Sequence, residues 1–362
     1  MKRKHTLIAL AALASLGNTA WAQSSSSSFG VNLFGVVDVG LRAVKNGSAG
    51  TLKSESSDGL NSSRLGFRGV EDLGDGLKAI FWLEGGISAD TGTANATKFW
   101  NRRSTVALSD PRFGEIRLGR DNTPLFTAYA VYDPFGTNGL GSIVGGGTAG
   151  GASIISALGS GSQTLTRADN QVSYFLPGSL GGVYGQLSAA AGEGVVGGRY
   201  EGGRLGYAGG GFDVSVGYEQ TRVALDDRFK QMHVGASYDF GVAKLSGQFL
   251  QSKYDSVAGG DRKQKVFQVG ATVPVGNGVI RADYIHGDMS GGAVGSGYGD
   301  ADDANQVTLG YYYNLSKRTA IYADVSQIRN KGASRLIVAS GNAGMKAGEN
   351  STGYDFGLRH SF

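Results

Sequence analysis

The stretch "VTLGYYYNLSKRTAIYADVSQI" (307–328) decides the fold, because one pattern occurs on both sides of a short polar break. Apolar side chains alternate with polar or small ones, which is typical of a β-strand with one apolar face. The break "NLSKR" is rich in turn residues, so the two runs are predicted to form an antiparallel hairpin. The residues of the apolar face are Val307, Leu309, Tyr311 and Tyr313 before the break, and Ile321, Ala323 and Val325 after it.

The same alternation runs through the chain from Val31 onward, and its connections alternate in length. Short ones such as "EDLGDG", "SDPRFGE", "DFGV" and "VPVGNG" contain the residues that favour tight turns. The longer ones are polar and rich in glycine. We predict roughly sixteen strands, with short turns at one end and long loops at the other. The long connections are 46–61, 89–98, 123–166, 255–262, 290–302 and 332–350.

A closed barrel in a membrane explains this pattern better than a soluble sandwich. About sixteen long strands would make an unusually large pair of sheets. In lipid, a closed barrel pairs every backbone group and leaves no free edge. Its polar inner face also explains a mean hydropathy of only −0.14. The predicted fold class is therefore all-β, a transmembrane antiparallel β-barrel. Candidates for its interfacial aromatic girdles are Trp82, Trp100, Tyr311 and Tyr354.

The N-terminus has the features of an export signal. "MKRKHTLIALAALASLGNTAWA" (1–22) joins a basic start to an apolar run of about ten residues and an Ala-x-Ala end. That order predicts a cleaved signal peptide over 1–22, and the apolar run is too short to span a membrane. Residues 23–362 then form a single barrel domain.

Composition excludes several classes of function. The chain has 34 Lys and Arg residues against 30 Asp and Glu, but three of the basic residues lie in 1–22, so 31 remain against 30. Without an excess of charge or a recognition motif, we expect no nucleic-acid partner. The absence of cysteine excludes disulfides and thiolate metal sites. The mature histidines lie on separate strands without a nucleophile motif, so we expect no enzyme, no cofactor and no metal site. They are His233, His286 and His360.

The chain ends on an aromatic residue at the close of the alternating run "GYDFGLRHSF" (353–362). This last strand is predicted to close the barrel against the first strand, near Val31. The alternate aromatic and apolar positions also resemble the C-terminal signal that the barrel-assembly machinery reads in outer-membrane proteins. Those positions are Tyr354, Phe356, Leu358 and Phe362.

Alternation also predicts which arginines face the lumen. If Leu65 and Phe67 face lipid, their neighbours Arg64 and Arg68 face inward. By the same argument Arg167 faces inward.

The pair "RR" at 102–103 is less simple, because strict alternation sends Arg103 inward and Arg102 outward. A bulge near the rim would allow Arg102 to face inward as well. We favour Arg102 and keep Arg103 as the alternative.

The third long connection, 122–166, has two interpretations. Its distal part is almost entirely small residues, which is typical of a disordered surface loop. Alternatively, the loop folds inward and packs against the barrel wall through aromatic anchors, as its length and position favour. It contains one carboxylate, Asp133, and no Lys or Arg. The predicted anchors are Tyr129, Tyr132 and Phe135, and Asp133 is predicted to lie at the pore constriction.

Several segments together resemble the general porins of β-proteobacteria across nearly the whole mature chain. The resemblance implies a sixteen-stranded barrel in the Gram-negative outer membrane, a homotrimer, and a third extracellular loop folded into the lumen. It is greatest for the anion-selective members, whose constriction is lined by arginines; the matching motifs "SRLGF", "NRRST" and "RADNQ" imply Arg64, Arg102 and Arg167. The segments are "VNLFGVVDVGL", "SRLGFRGVEDLGDGLKAIFWLE", "NRRSTVALSDPRFGEIRLGRD", "RADNQVSYFLP", "YDFGVAKLSG", "VTLGYYYNLSKRTAIYADVS" and "GLRHSF".

The function expected from these features is a diffusion channel for small hydrophilic solutes and ions, with a preference for anions that weakens as salt rises. A porin specific for phosphate or organic anions remains the alternative, because a ladder of arginines could bind either. Expected partners are small anionic or polar solutes, outer-membrane lipid and lipopolysaccharide, the barrel-assembly machinery, and further copies of the chain.

Overall fold

The computed structural model describes residues 30–143, 165–223, 227–256, 261–291 and 299–362. The predicted signal peptide and most of the small-residue part of the third loop lie outside these ranges. In chain order the strands are β1 (Gly30–Asn46), β2 (Thr51–Ser57), β3 (Arg64–Gly74), β4 (Leu77–Ser88), β5 (Thr93–Ala94), β6 (Arg103–Asp110), β7 (Gly114–Asn122), β8 (Arg167–Phe175), β9 (Val183–Ala191), β10 (Arg199–Gly209), β11 (Phe212–Arg222), β12 (Arg228–Asp239), β13 (Lys244–Asp255), β14 (Arg262–Val275), β15 (Gly278–Ser290), β16 (Ala304–Asn314), β17 (Thr319–Asn330) and β18 (Ser351–Ser361).

Sixteen of these strands form a closed antiparallel barrel, and β2 and β5 are additions at its loop end. This confirms the predicted fold class. The turns between strands are short at one end of the barrel, and the connections are long at the other. Helical structure in the described ranges includes the α-helix α1 (Pro124–Tyr132), a 3₁₀ turn at Gly47–Ala49, and residues 165–166 just before β8. No helix among the described residues has the length and apolar content needed to cross a membrane.

Barrel closure joins the two ends of the chain. Strand β18 pairs with β1 from Val36 opposite Ser361 to Asn46 opposite Ser351. Beyond it, Phe362 and Gly35 exchange two backbone hydrogen bonds of 3.1 Å. The terminal residue is therefore part of the seam, as the sequence predicts.

The outward and inward faces follow the predicted period of two. On β18, Tyr354, Phe356 and Leu358 are at least half exposed, while Asp355 between them is buried. Exposed apolar side chains are unfavourable in water but meet lipid on the outside of a membrane barrel. Inward side chains are mostly polar and paired with one another, which their low exposure requires.

One strand of the barrel is interrupted at its loop end. Strand β2 pairs with the upper half of β1, and β3 pairs with the lower half of the same edge. The segment 58–63 between them leaves the sheet. The long connection predicted over 46–61 thus contains the strand β2, whose sequence "TLKSESS" is polar except for Leu52 and lacks the alternation that indicates a half-buried strand.

Candidate functional site

The third loop begins with a helix that the sequence pattern did not predict. The Thr123 hydroxyl accepts a hydrogen bond from the Phe126 amide at 3.3 Å, and Pro124 occupies the first turn. Both features favour a helix start. The helix α1 is apolar on most sides, and Leu125 and Ala128 are fully buried. An amphipathic period is therefore missing, although the Thr-Pro start was a usable signal.

The three predicted aromatic anchors are buried against the inner wall. The Tyr129 ring meets His233 of β12 edge-on at 5.4 Å, and the Tyr132 ring stacks on the same histidine at 5.6 Å. The Phe135 ring lies 4.4 Å from the guanidinium carbon of Arg281 on β15. The described part of the loop, 123–143, is thus folded into the lumen and packed on the wall.

Asp133 lies inside this packing. Its carboxylate accepts hydrogen bonds from the backbone amides of Phe135, Thr137 and Ile143 at 2.9 to 3.1 Å, and from the Gln268 side chain at 3.3 Å. Only 6% of the residue is exposed, and this burial raises the carboxyl pKa above its usual range. Asp133 therefore organises the loop backbone, and the expectation that it lies at the pore constriction is wrong in this geometry.

The segment 58–63 is a second inward excursion, held by Asp38 of β1. The Asp38 carboxylate accepts hydrogen bonds from the amides of Gly59, Leu60 and Asn61 at 3.3, 2.8 and 2.6 Å. The Tyr322 hydroxyl donates to it from β17 at 2.7 Å. An inward carboxylate thus replaces the backbone partners that the segment loses when it leaves the sheet.

This segment also contacts the third loop. The Gly139 amide donates to the Asp58 carbonyl at 3.2 Å, and the Ser62 hydroxyl donates to the Asn138 side-chain oxygen at 2.6 Å. The two inward elements are therefore joined. Because 58–63 leads directly into Arg64, this contact places the loop beside the first predicted arginine.

Arg64, Arg102 and Arg167 converge around one carboxylate, Glu84 of β4. The Arg102 Nε donates to Glu84 Oε1 at 2.5 Å, and Arg64 Nε lies 3.9 Å from the same oxygen. The Arg167 Nε donates to the Arg102 carbonyl at 2.8 Å, and its guanidinium lies over the ring of Phe126 from the third loop at 5.6 Å. Side-chain exposures of 14% for Arg64 and 18% for Arg102 leave both partly accessible. We call these three residues the arginine cluster.

Glu84 was not among the residues predicted from the sequence, although alternation places it on the inward face of β4. Trp82, two positions earlier, was assigned to the aromatic girdle, and that assignment was wrong. The Trp82 indole donates to Glu84 at 3.0 Å and lies under the guanidinium groups of Arg68 and Arg103, at 5.2 and 4.5 Å. An indole next to a carboxylate and two cations belongs to the inner face. Trp100, by contrast, packs edge-on against the outward Phe67 at 6.1 Å.

Both residues of the "RR" pair lie on the inner side. Arg103 begins β6 on the inward parity, stacks on Trp82, and lies 3.7 Å from Asp121. Arg102 precedes the strand, so the alternation rule does not apply to it, and its amide still donates to the Glu84 carbonyl at 3.1 Å. No bulge at 102–103 is needed.

Further charges flank the cluster. Arg120 of β7 donates to Asp169 at 2.6 Å and to the Asn101 carbonyl at 2.7 Å, and Lys98 pairs with the same Asp169. Strict alternation on β7 did not single out Arg120, because a register shift between Gly119 and Asp121 breaks the pattern. Among the described residues, no group of three or more His, Asp and Glu side chains could hold a metal ion.

Comparison with known proteins agrees with this architecture. The family model described as Gram-negative porin matches residues 8–333. Outer membrane porin protein 32 of Delftia acidovorans is 42% identical, over 99% of this chain and all of that protein. The solved anion-selective porin from Comamonas acidovorans superposes with a TM-score of 0.81 at 39% identity, covering 92% of this chain and all of that one. OmpT of Vibrio cholerae, solved in a trimer form, shares the fold at a TM-score of 0.69 and 16% identity, covering 92% of this chain and all of its own.

Proposed function

Because this chain belongs to the Gram-negative porin family, we propose that its arginine cluster makes it a channel with a preference for anions. The protein is an outer-membrane porin that acts as a general diffusion channel, and it is not an enzyme. The proposed anion preference is produced by Arg64, Arg102 and Arg167. Arg68 and Arg103 add positive charge on the inner wall close to them.

The observation that supports this proposal is the imbalance of charge at the cluster. Three guanidinium groups lie around one carboxylate, Glu84, and a second carboxylate, Asp58, lies close to two of them, so three positive charges less two negative leave +1. The third loop contributes no counter-charge there, because Asp133 is enclosed by its own backbone amides. A passing ion therefore meets a net positive site.

The size of the effect follows from Coulomb's law. A unit charge about 10 Å from an ion in water contributes roughly 0.4 kcal/mol. A net charge of one favours an anion by about 0.4 kcal/mol and disfavours a cation by the same amount. The difference of about 0.8 kcal/mol corresponds to about fourfold at low salt. Screening reduces it at physiological ionic strength, and attraction this weak still allows ions to leave, as conduction requires.

We further propose that the protein is a homotrimer, like the relative solved in that form. Its other partners in this proposal are outer-membrane lipid and lipopolysaccharide, small anionic or polar solutes, and the barrel-assembly machinery. The last strand exposes an outward row of apolar side chains, and we propose that an assembly factor binds this row before the barrel closes. The row is Tyr354, Phe356, Leu358 and Phe362.

The test is a planar-bilayer measurement of reversal potential in a tenfold KCl gradient. We expect stepwise conductance with an anion-side reversal potential that disappears when Arg64, Arg102 and Arg167 are all changed to Ser. The control is Arg199→Ser, a loop-end residue on the outward face of β10. A triple variant with unchanged anion preference would contradict the proposal. Conductance that saturates with phosphate or an organic anion would favour the substrate-specific porin instead.

A further inference from the structure

Two aromatic rings lie side by side on the inner wall, on the short-turn side of the arginine cluster. Trp82 is two positions closer than Glu84 to the short turn between β3 and β4, and the register places it opposite Arg68. The Phe34 ring of β1 meets the Trp82 ring edge-on, with centroids 5.1 Å apart and an angle of 67° between the planes. Such a pair is unusual on a wall whose inward side chains are mostly polar.

A glycine allows the Phe34 ring to lie against this wall. Gly66 is opposite Phe34 in the register of β1 and β3. A Cβ at position 66 would come within 2.4 Å of the Phe34 Cζ and 2.7 Å of the Leu83 carbonyl oxygen, so a larger residue would push the ring away from Trp82. Phe34 and Trp82 are both only half-buried. A solute in the lumen can therefore touch both rings.

Two guanidinium groups border the same rings. The guanidinium carbon of Arg68 lies 5.4 Å from the Phe34 centroid and 5.2 Å from the Trp82 centroid. That of Arg103 lies 4.5 Å from Trp82, and the Arg103 Nε donates to the Thr105 hydroxyl at 3.0 Å. Arginine stacks on aromatic rings and also binds carboxylates through its N–H groups. We call Phe34, Arg68, Trp82 and Arg103 the Trp82 site.

The carboxylates near the Trp82 site are bound mainly by other cations. Glu84 pairs with two residues of the arginine cluster. Asp121 lies 3.7 Å from Arg103 but 2.5 Å from Arg117, and Glu115 also pairs with Arg117 at 2.5 Å. The Arg103 side chain is 18% exposed. Its charge is therefore only partly offset, and the carboxylate of a solute in the lumen can reach it.

We propose that the Trp82 site binds aromatic carboxylates as they pass through the channel. The carboxylate lies on Arg103 and the aromatic ring lies against Trp82 and Phe34, with Arg68 between the two rings of the wall. A small aliphatic anion gains only the charge contact. A saturated ring adds apolar contact, but it lacks the π face that a guanidinium attracts.

We therefore expect an aromatic carboxylate to bind about fivefold more tightly than its saturated counterpart. This inference rests on the proposed anion preference, because it names a class of anion that the channel favours.

The chloride current through single channels in a planar bilayer, in dilute KCl at pH 7.5, tests the site. Benzoate is the probe, and cyclohexanecarboxylate is the comparison, because it has the same charge and a similar size. Both acids are ionised at this pH. In the wild type, benzoate should halve the current at a concentration about fivefold lower than cyclohexanecarboxylate does.

Phe34→Leu should bring the two half-blocking concentrations to within about twofold of each other. This change removes one ring and leaves the hydrogen bond between Trp82 and Glu84 in place. Trp82→Leu should have the same result. The matched control is Phe175→Leu, which removes an inward ring 4.2 Å from the Arg117 guanidinium, a group already paired with two carboxylates. It should keep the wild-type ratio, and heat-modifiable gel migration checks that each barrel is folded.

Equal half-blocking concentrations of the two acids in the wild type would overturn the proposal. So would a wild-type ratio in both Phe34→Leu and Trp82→Leu. The reversal potential in KCl alone, from the same bilayers, tests the proposed anion preference separately. A pore that prefers anions but does not distinguish the two acids would contradict only the Trp82 site. A pore without anion preference that still distinguishes them would support this site and contradict the proposed selectivity.

Discussion

The two halves of the inner wall differ in the side chains that line them and in what those side chains bind. From β11 to β16 the wall is lined with buried amides that bind the third loop directly: Gln248 donates to the Tyr129 carbonyl at 3.4 Å, and Gln306 to the Leu140 carbonyl at 2.7 Å. From β3 to β8 it carries the arginine cluster, which remains partly accessible. A loop backbone has unpaired amides and carbonyls, and neutral amide side chains satisfy both at low cost.

The guanidinium groups of the arginine cluster cannot serve as such a surface, because covering them would remove their water without supplying enough carboxylates. The covered Arg281, by contrast, is paired with Asp324 beneath the Phe135 ring. The loop has only Asp133 to offer, and that carboxylate is used by its own backbone. The loop therefore packs mainly on the amide wall and meets the charged wall where the Phe126 ring lies over Arg167, while Arg64 and Arg102 stay partly accessible to ions. The difference indicates that the position of the loop and the selectivity of the pore have one physical origin. Each half can be tested separately.

Removing the Phe135 ring should disturb the covered wall most. Phe135→Ala deletes a side chain that is 1% exposed and packed on the Arg281 guanidinium, at a cost of about 3 to 5 kcal/mol for loop packing. Hydrogen exchange of the amides in 124–143 should become at least about a hundredfold faster. Phe113→Ala, at a turn residue that is 69% exposed, is the control. Exchange within tenfold of the wild type would mean that the ring does not hold the loop.

Tyr132→Phe should have a smaller effect on the same half. It deletes the 2.7 Å hydrogen bond from the Tyr132 hydroxyl to Asp213, while Tyr184 still donates to that carboxylate at 2.7 Å. A loss of about 1 kcal/mol is expected, which corresponds to exchange about fivefold faster over 124–143. The lipid-facing change Tyr238→Phe should leave exchange as it is. If both variants gave the same rates, the hydroxyl would have no share in anchoring the loop.

The sequence predicted the strands well because alternation directly reports which face meets lipid. The turns and the seam at Phe362 followed from the same rule. The rule does not apply to residues outside the strands, such as Arg102, which lies before its strand begins. Trp82 follows the rule, because it lies two positions before Glu84 and faces inward with it, and the girdle assignment did not take that position into account.

The inward elements could not be derived from periodicity. Helix α1 is apolar around most of its circumference, because wall and loop both enclose it, so it lacks an amphipathic period. The excursion 58–63 depends on Asp38, a carboxylate about twenty residues earlier in the chain. Asp133 looked like a pore charge because a lone acid in a loop gives no sign that backbone amides surround it.

On the charged wall, Glu84→Gln should increase the preference of the pore for anions. Glu84 is the carboxylate nearest Arg64 and Arg102, so its removal raises the net charge of the cluster by one. At roughly 0.4 kcal/mol for each ion, of opposite sign for anion and cation, the chloride-to-potassium permeability ratio should rise about fourfold at low salt. Glu201→Gln on the outward face of β10 is the control and should leave the reversal potential as in the wild type. A fall in the ratio, or none, would show that Glu84 does not limit anion preference.

Asp58 should make the anion preference of the pore weakly dependent on pH. Burial beneath the excursion raises the pKa of its carboxyl to about 6, with the nearby Asp38 adding to the rise, while hydrogen bonds from Ser63 and the charge of Arg102 oppose it. The group is therefore ionised above pH 6 and neutral below it. As pH falls from 7.5 to 5, one negative charge beside Arg102 disappears, and anion preference should increase.

The increase should be about twofold, because Asp58 acts on Arg64 and Arg102 without forming an ion pair, whereas Glu84 is paired with both. Reversal potentials at the two pH values measure it. Asp58→Asn should show the higher preference at both, since an amide has no charge to lose. A wild type with no pH dependence would mean that this carboxyl is not sensed by ions in the pore. A pH response that persists in Asp58→Asn would assign the titration to a different group.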